Sequence, residues 1–275
     1  MTNTTDTYWS VDGVSLQTFA SNITTFSGRD TPPELRGEDL TVPYSPGQIW
    51  MPKQVDSRVI PLSMWVRGVN ADGSIPANRA NAYDDNWRAL RNLLWTPGRQ
   101  FVLTKRFRVG GVLKVVTAMG EYAGGLSSEM MGRYAGKFAV DIKLADPYFY
   151  DENYSSFALV NGAQNITLPG DAVTNRILLT INGARTNAKV RNDTLGVEME
   201  HRHVLLSGGL TDIDVKQYRA TTIASAGGTA FKSTGMIRHT GAPQWLGIKP
   251  GINSVTYSST SGLGSTILQA KGAWL

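Results

Sequence analysis

The chain has 275 residues, of which 41% are hydrophobic and 18% charged, with a formal net charge of +5 and no cysteine. This composition is typical of a globular protein with one large domain or two ordinary ones, and it excludes disulfide bonds and thiolate metal sites. The lysines and arginines are scattered along the sequence, which is unlike the basic stripe of a nucleic-acid-binding protein.

Strand patterns come first along the chain. Asp12-Gly13 stands between apolar residues, which predicts a tight β-hairpin. Residues 58–67 alternate between apolar and polar side chains and therefore predict a strand. We assign Arg58 to its polar face, and we interpret Pro61 as the mark of an edge strand or a bulge, because proline cannot donate to a ladder. The predicted apolar face of this strand consists of Ile60, Leu62, Met64 and Val66.

One strong helix pattern follows over residues 78–95. Tyr83, Trp87, Leu90 and Leu94 recur at helical spacing and form one apolar face. Pro97-Gly98 ends the pattern. The sequence therefore predicts a single helix of the first domain that packs against a sheet.

A second hairpin is predicted around Gly110-Gly111, between two alternating runs. Residues 124–136 are interpreted as a loop rich in glycine and methionine, and residues 137–146 as a strand. The first of the hairpin runs carries a basic cluster, for which a solvated strand face, a subunit contact and a DNA-facing surface are the alternatives. Its members are Lys105, Arg106 and Arg108.

The arrangement of this cluster favours a subunit contact over a DNA groove. Arg106 and Arg108 share one face of the predicted strand, whereas Lys105 and Phe107 share the other. A groove for DNA would keep its cations together, and a channel through which DNA slides would avoid holding phosphates. We therefore expect the arginines to form ion pairs between subunits.

The pattern of the sequence changes at Asp146-Pro147, from mixed helix and strand signals to strand signals alone. Proline disfavours helix in the residue before it and lacks an amide hydrogen for a ladder, so the preceding strand should stop there. We predict a domain seam at this point, closed by a plug of aromatic side chains. The residues of the predicted seam are Asp146, Pro147, Tyr148, Phe149 and Tyr150.

Short strand-like runs separated by turn signals fill the second half of the chain, which is typical of an antiparallel sandwich. The runs are 157–160, 166–168, 176–181, 188–191, 197–199, 204–206, 213–218, 245–248, 255–257 and 266–271. The predicted fold class is mainly β, with an α+β domain over residues 1–150 and an all-β sandwich over residues 151–275.

No complete catalytic or cofactor motif appears in the sequence. His201 and His203 could reach one metal ion from a strand, with His239 or Glu198 as further ligands, but the sequence has only three histidines and surface histidine pairs are common. We therefore expect no catalytic residues, no cofactor and no metal. No apolar run reaches the length of a membrane span, and the N-terminal residues lack a signal-peptide pattern, so we expect synthesis in a cytoplasm.

Several stretches in order along the chain resemble the distal tail proteins of long-tailed bacteriophages. They are "VDGVSL", "TPPELRGEDLTVPYSPGQIWMPKQVDSRVIPLSMWVRG", the single helix, the hairpin, "DIKLADPYFYDE" and "PQWLGIKPGINSVTYSS". The last of these is similar to a Pro-Gly-x-Asn hairpin in the C-terminal galectin-like sandwich of that family.

The resemblance implies a structural protein of the virion. It implies a homo-hexameric ring at the tail tip, assembled in the host cytoplasm, that joins the tail tube protein to the tail-tip hub protein, with the tape measure protein as a further partner. DNA would only pass through the channel, and no membrane would be bound. The alternative is a carbohydrate-binding module with a shallow groove and an exposed aromatic residue, for which Trp245 and Trp274 are the candidates.

Overall fold

The computed structural model describes residues 8–26, 33–41, 48–49, 51, 53–241, 245–260 and 264–275. The chain forms two compact units, one over 1–149 with Leu275 and one over 150–274. Strands dominate both, so the predicted mainly-β fold class is confirmed. Parts of the stretches that carry the resemblance, residues 31–32, 42–47, 50, 52 and 243–244, lie outside the described residues. Independent folding of residues 151–275 stays a prediction.

The first unit combines strands with one α-helix. Its elements in chain order are β1 (Tyr8–Val11), β2 (Val14–Ser15), β3 (Ser21–Phe26), β4 (Leu35–Arg36), β5 (Leu40–Thr41), β6 (Gln48–Ile49), β7 (Gln54–Val55), β8 (Arg58–Arg67), α1 (Arg79–Leu94), β9 (Gln100–Val109), β10 (Val112–Gly132) and β11 (Ala135–Leu144). Seven strands form one antiparallel path in the order β2-β1-β9-β10-β11-β8-β3, and β4–β7 and β5–β6 form two small ribbons. No helix in the described part is long and apolar enough to cross a membrane.

Both predicted hairpins are confirmed. Asp12 and Gly13 have φ values of 47° and 81°, and Gly110 and Gly111 have φ values of 56° and 83°. Each pair joins two strands through a two-residue loop, since Val11 pairs with Val14 and Val109 with Val112. Positive φ at both loop positions matches the twist of the flanking strands, which explains the choice of glycine and aspartate there.

Strand β8 has the predicted buried face, but two expectations about it are wrong. Arg58 is buried on the same side as Ile60, because residues two apart share a face. The strand is also interior, since it pairs with β11 along its length and with β3 from Leu62 to Val66. Pro61 lies just beyond the described pairing with β3, which explains how a residue without an amide hydrogen is tolerated there.

Helix α1 begins and ends within one residue of the predicted bounds. The side chain of Asn78 accepts hydrogen bonds from the backbone amides of Ala80 and Asn81, which caps the N-terminus. Leu90 and Leu94 are buried. The other half of the predicted apolar face, Tyr83 and Trp87, is only half-buried. The helix therefore covers the sheet with its C-terminal half more completely than with its N-terminal half.

The loop predicted over residues 124–136 is wrong. β10 continues to Gly132 and pairs with β11, with only residues 133 and 134 in the turn. Register shifts near Gly124 and Gly132 absorb the irregularity of the glycine-rich sequence. Pairing with a regular neighbour strand thus overrides the low strand propensity of glycine.

The second unit is an antiparallel sandwich, as predicted. Its strands are β12 (Phe149–Asp151, which begins on the last residue of the first unit), β13 (Ser155–Leu159), β14 (Gly162–Leu168), β15 (Ile177–Asn182), β16 (Arg185–Asn192), β17 (Val197–Leu205), β18 (Leu210–Asp214), β19 (Arg219–Ile223), β20 (Phe231–Lys232), β21 (Ile237–Thr240), β22 (Gly251–Ser258), β23 (Thr266–Ala270) and β24 (Ala273–Trp274), with a 3₁₀ turn at Thr234–Met236. One sheet has the order β13-β23-β15-β18-β19-β20 and the other β14-β22-β16-β17-β21, and β12 pairs with β24.

The apolar side chains of these two sheets form one core. Leu179, Ile181, Val190, Met199 and Leu268 are among its buried members. The runs predicted at 197–199 and 204–206 are one strand, and residues 245–248 contribute only an isolated bridge between Thr174 and Ile248. The prediction missed β12, β19, β20, β21 and β24, which are short or polar.

Candidate interaction surfaces

The basic cluster on β9 contains one buried and two exposed cations. The side chain of Lys105 is buried, and its Nζ donates to the main-chain oxygen of Leu275 at 3.2 Å. The same nitrogen lies 5.7 Å from the ring centre of Trp9, 5.0 Å from Phe107 and 5.8 Å from Phe149. Cation–π attraction and this hydrogen bond offset the loss of water around the ammonium group.

The burial of Lys105 separates it from Arg106 and Arg108, which are exposed near the end of the hairpin. The guanidinium of Arg106 lies 5.1 Å from the ring centre of Tyr8, and Arg108 Nη1 donates to the carbonyl of Gly111 at 2.9 Å. A subunit contact through the three cations stays a prediction, and the structure leaves only the arginines on the surface to make it.

The end of the β9–β10 hairpin is also apolar. We call this feature the hairpin tip and define it as Val109, Val112 and Leu113, which are 44%, 61% and 52% exposed. No acidic residue occurs between positions 104 and 117. Val109 and Val112 are paired and share one face of the narrow turn, whereas Leu113 pairs with Arg108 on the other face. Both faces of the tip therefore expose large apolar side chains, as contact surfaces often do.

A groove lies between α1 and the segment from β2 to β3. It has a volume of about 460 Å³. Apolar and small residues supply its walls, among them Val14, Ala20, Ala71, Ala89, Leu90 and Leu93. Alanine and serine side chains are prominent in its lining, and larger residues at those positions would fill the gap. We call it the helix groove.

A second depression lies on the other side of α1. Tyr83, Trp87 and Arg91 line it together with Ser128 and Met130 of β10, and its volume is about 320 Å³. Met130 is 66% exposed. The edge of Trp87 contacts Phe138, with ring centres 6.1 Å apart. Two of the four residues on the predicted apolar face of the helix thus line an open surface and do not enter the core.

The predicted seam residues divide between the two units. Pro147 and Phe149 are buried in the first unit, where the ring of Phe149 lies edge-to-face with Trp9 at 5.7 Å. Tyr150 belongs to the second unit, where the Arg176 guanidinium lies 4.8 Å from its ring centre. Burial, and then the charge of Asp146, raises the pKa of Tyr148. The role of this segment as an aromatic plug stays a prediction.

The two histidines share a face of β17 in the second unit, as predicted. His201 is buried, and burial lowers its pKa to about 4, with a smaller effect from His203. Its Nε2 lies 3.4 Å from the hydroxyl of Thr222. Glu198 instead pairs with Lys189 at 2.9 Å. Across the described ranges no group of three or more histidine, aspartate or glutamate side chains is placed to hold a metal ion.

The aromatic residues suggested for sugar stacking are in the interior. Trp245 and Trp274 are 6% and 4% exposed, and Trp274 Nε1 donates to Asp151 at 2.9 Å. The outer face of the six-stranded sheet has a small polar cleft of about 160 Å³, lined by Asp212, Asp214 and Arg219 among others. This cleft has no exposed tryptophan in its lining.

Sequence reasoning missed both the helix groove and the cage around Lys105. The hairpin tip was detectable, because large apolar residues beside a Gly-Gly turn have no core to enter. The other two features depend on residues far apart in the chain, such as Ala20 and Ala89 or Lys105 and Leu275. No pattern of local spacing contains that information.

Comparison with solved structures identifies the fold. The Dit protein (gp 19.1) of phage SPP1, described as a paradigm of the hub adsorption apparatus in phages that infect Gram-positive bacteria, matches with a TM-score of 0.66 and 14% identity, over 98% of this chain and 99% of that chain. The baseplate of phage P2 in its activated conformation contains a chain that matches with TM-scores of 0.40 with Ca and 0.41 with Sr, at 12% identity, over 96% of this chain and 98% and 97% of those chains. No protein-family model and no curated protein matches the sequence. The resemblance stated from the sequence is confirmed at the level of the fold, by the SPP1 protein.

Proposed function

We propose that this chain is a structural protein of a bacteriophage tail tip and not an enzyme. The observation that carries the proposal is the similarity in fold to the Dit protein of phage SPP1 over almost the whole of both chains. Fold alone does not determine function, but here the order of sequence stretches, both units and the single helix agree with one structural family. Such a role requires contact surfaces, and the first unit has several.

In this proposal six copies close into a ring that joins the tail tube protein to the tail-tip hub. Ring contacts join two different patches of each subunit, and they close when the rotation between neighbours divides a full turn. The hairpin tip and the helix groove are two such different patches. DNA would pass through the channel, the tape measure protein would be a further partner, and the protein would assemble in the host cytoplasm before it becomes part of the virion.

The mass of the purified full-length protein in solution tests the ring. Six copies of the 29.9 kDa chain give about 179 kDa, which native mass spectrometry distinguishes from every smaller closed assembly. Negative-stain electron microscopy of the same sample should show rings with a central hole. A protein that remains monomeric at the highest accessible concentration would contradict self-assembly into a ring.

A carbohydrate-binding module is the second candidate. The polar cleft with Asp212, Asp214 and Arg219 supports it, because carboxylates and a guanidinium can accept and donate hydrogen bonds to sugar hydroxyls. The burial of Trp245 and Trp274 removes the stacking residues suggested for it. Titration of host-wall oligosaccharides into the protein, with Arg219→Ala as the matched variant, tests this candidate.

A further inference from the structure

The hairpin tip and the helix groove are complementary surfaces of one unit. The tip presents three large apolar side chains on a two-residue turn, and the groove is an apolar depression walled by α1 and the β2–β3 segment. Each surface exposes apolar side chains that a partner molecule would cover. Together they have the form of a knob and a socket.

Charge supports the same pairing. Arg106, Arg108 and Lys114 flank the tip. Asp72 follows Ala71 at the edge of the groove, and Asp85 lies one turn before Ala89 on the helix. Both carboxylates are exposed, so they attract cations without a large desolvation cost. The basic surroundings of the tip therefore match an acidic edge of the groove.

The tip of one chain cannot reach the groove of the same chain. Val11 pairs with Leu103 on one side and with Val14, a residue of the helix groove, on the other. Val109 is six residues further along β9 than Leu103, which is about 20 Å at the rise of an antiparallel strand. The ladder therefore holds the tip and the groove apart within one chain, so only another molecule can join them.

We propose that the hairpin tip of one copy inserts into the helix groove of the next copy, and that this contact forms the ring. The proposal rests on the proposed ring function and identifies the partner of both surfaces as a second copy of this chain. Because the tip and the groove differ, the contact is heterologous, and every copy uses both surfaces at once in a closed ring.

Engineered cysteines test the contact directly, since the natural chain has none. Leu113→Cys and Ala89→Cys, placed together in the full-length chain, should give a ladder of disulfide-linked multimers that ends at the ring. A disulfide requires β-carbons about 4 Å apart, so the product reports specific contact. The control combines Leu113→Cys with Ile75→Cys, since Ile75 is 73% exposed in the same unit and lies outside the groove. It should give only background cross-linking.

Mixing the two single-cysteine variants adds a test of the head-to-tail character. A chain with only Leu113→Cys can be linked through its tip alone, and a chain with only Ala89→Cys through its groove alone. Their mixture should therefore stop at a covalent dimer. Each single variant by itself should remain without a linked product.

The outcomes separate this inference from the proposed function. A ladder in the double variant and a dimer in the mixture support the contact. A wild-type ring without the 113–89 cross-link would overturn the contact and leave the ring function intact. A monomeric wild-type protein without the cross-link would overturn both. In addition, Leu113→Asp should raise the dissociation constant of assembly about tenfold or more, because it places a charge in an apolar socket.

Discussion

The two units of the chain differ in how they cover their apolar surface. In the second unit two sheets face each other and enclose one continuous core, which includes Ile177, Val190 and Leu268. In the first unit one helix covers part of the sheet that contains the seven-strand path. Most of the large apolar side chains that remain exposed belong to the first unit, among them Phe19, Ile75, Val112, Leu113, Met130 and Met131.

This difference indicates that the first unit is suited to assembly and the second to stability as a single chain. A sheet pair that buries both inner faces is complete as a single chain, whereas a unit with exposed apolar patches gains stability when a partner covers them. We therefore expect assembly to depend on the first unit, and the second unit to be stabilised by its own core. Substitutions in the first unit should therefore leave the stability of the second unit unchanged, and substitutions in the second unit should leave assembly unchanged.

The largest expected effect is on the core of the second unit. Leu179→Ala removes a side chain that is 1% exposed, and it should lower the free energy of unfolding of that unit by about 2–5 kcal/mol. Hydrogen exchange followed by mass spectrometry resolves the two units in one experiment. Protection should fall in peptides from 150–274 only, and Val204→Ala at an exposed position should change little. An equal loss of protection in the first unit would contradict the conclusion that the second unit is stabilised by its own core.

The next effect is a loss of stability of the second unit in acid. His201 has a pKa lowered from 6.5 to about 4, first because burial disfavours the charged ring and then because of His203. Between these values the unfolded chain binds a proton that the folded chain does not, so stability falls as the pH decreases from 6.5 to 4, by roughly 3 kcal/mol.

Urea unfolding at pH 7.5 and pH 4.5 measures this change, with hydrogen exchange to assign it to a unit. His201→Gln should remove most of the difference between the two pH values. All three histidines lie in the second unit, so peptides of the first unit should lack this contribution. A transition of the second unit that is independent of pH over this range would show that the buried imidazole is not responsible.

A smaller effect is expected at the helix of the first unit. Trp87 is half-buried and contacts Phe138 by its edge, so Trp87→Ala should cost about 1–3 kcal/mol, below the 3–5 kcal/mol typical of a buried tryptophan. Trp95→Ala is the control, because Trp95 is 50% exposed at the end of the same helix. A cost as large as for full burial would mean that this face of the helix is closed in solution.

The smallest effect concerns the exposed arginines. Arg106→Gln with Arg108→Gln should weaken ring formation roughly two- to fivefold, since exposed ion pairs contribute little each, and DNA binding should not change. Arg202→Gln with Arg238→Gln gives the same net charge from the second unit and should leave the ring unaffected. If the wild type binds DNA tightly with steep salt dependence, and the first variant loses it, the arginines serve DNA and not assembly.

Local signals were sufficient for much of the fold. A few adjacent residues determine the Asp12-Gly13 and Gly110-Gly111 turns, the helix cap at Asn78 and the alternation along β8. The extension of β10 beyond Gly124 has no such local signal, because it depends on pairing with β11. The polar strands β19 and β21 depend in the same way on their neighbours in the sheet.

The candidate surfaces were predictable only in part. The alternation of side chains along β9 predicts that Arg106 and Arg108 lie on one face and Lys105 on the other, and the structure has this arrangement. It could not predict that Lys105 is buried, because a buried ammonium group requires partners that surround it in space. Those partners, Trp9, Phe149 and Leu275, come from both ends and the middle of the chain.

The cage around Lys105 also has a consequence for chemical reactivity. The ammonium group is held among rings and a main-chain oxygen, whereas the other lysines in the described part are exposed or half-buried. An acylating reagent needs access to the nitrogen, and the cage denies it that access. Lys105 should therefore be the last of the described lysines to be labelled, and its modification would record openings of the first unit.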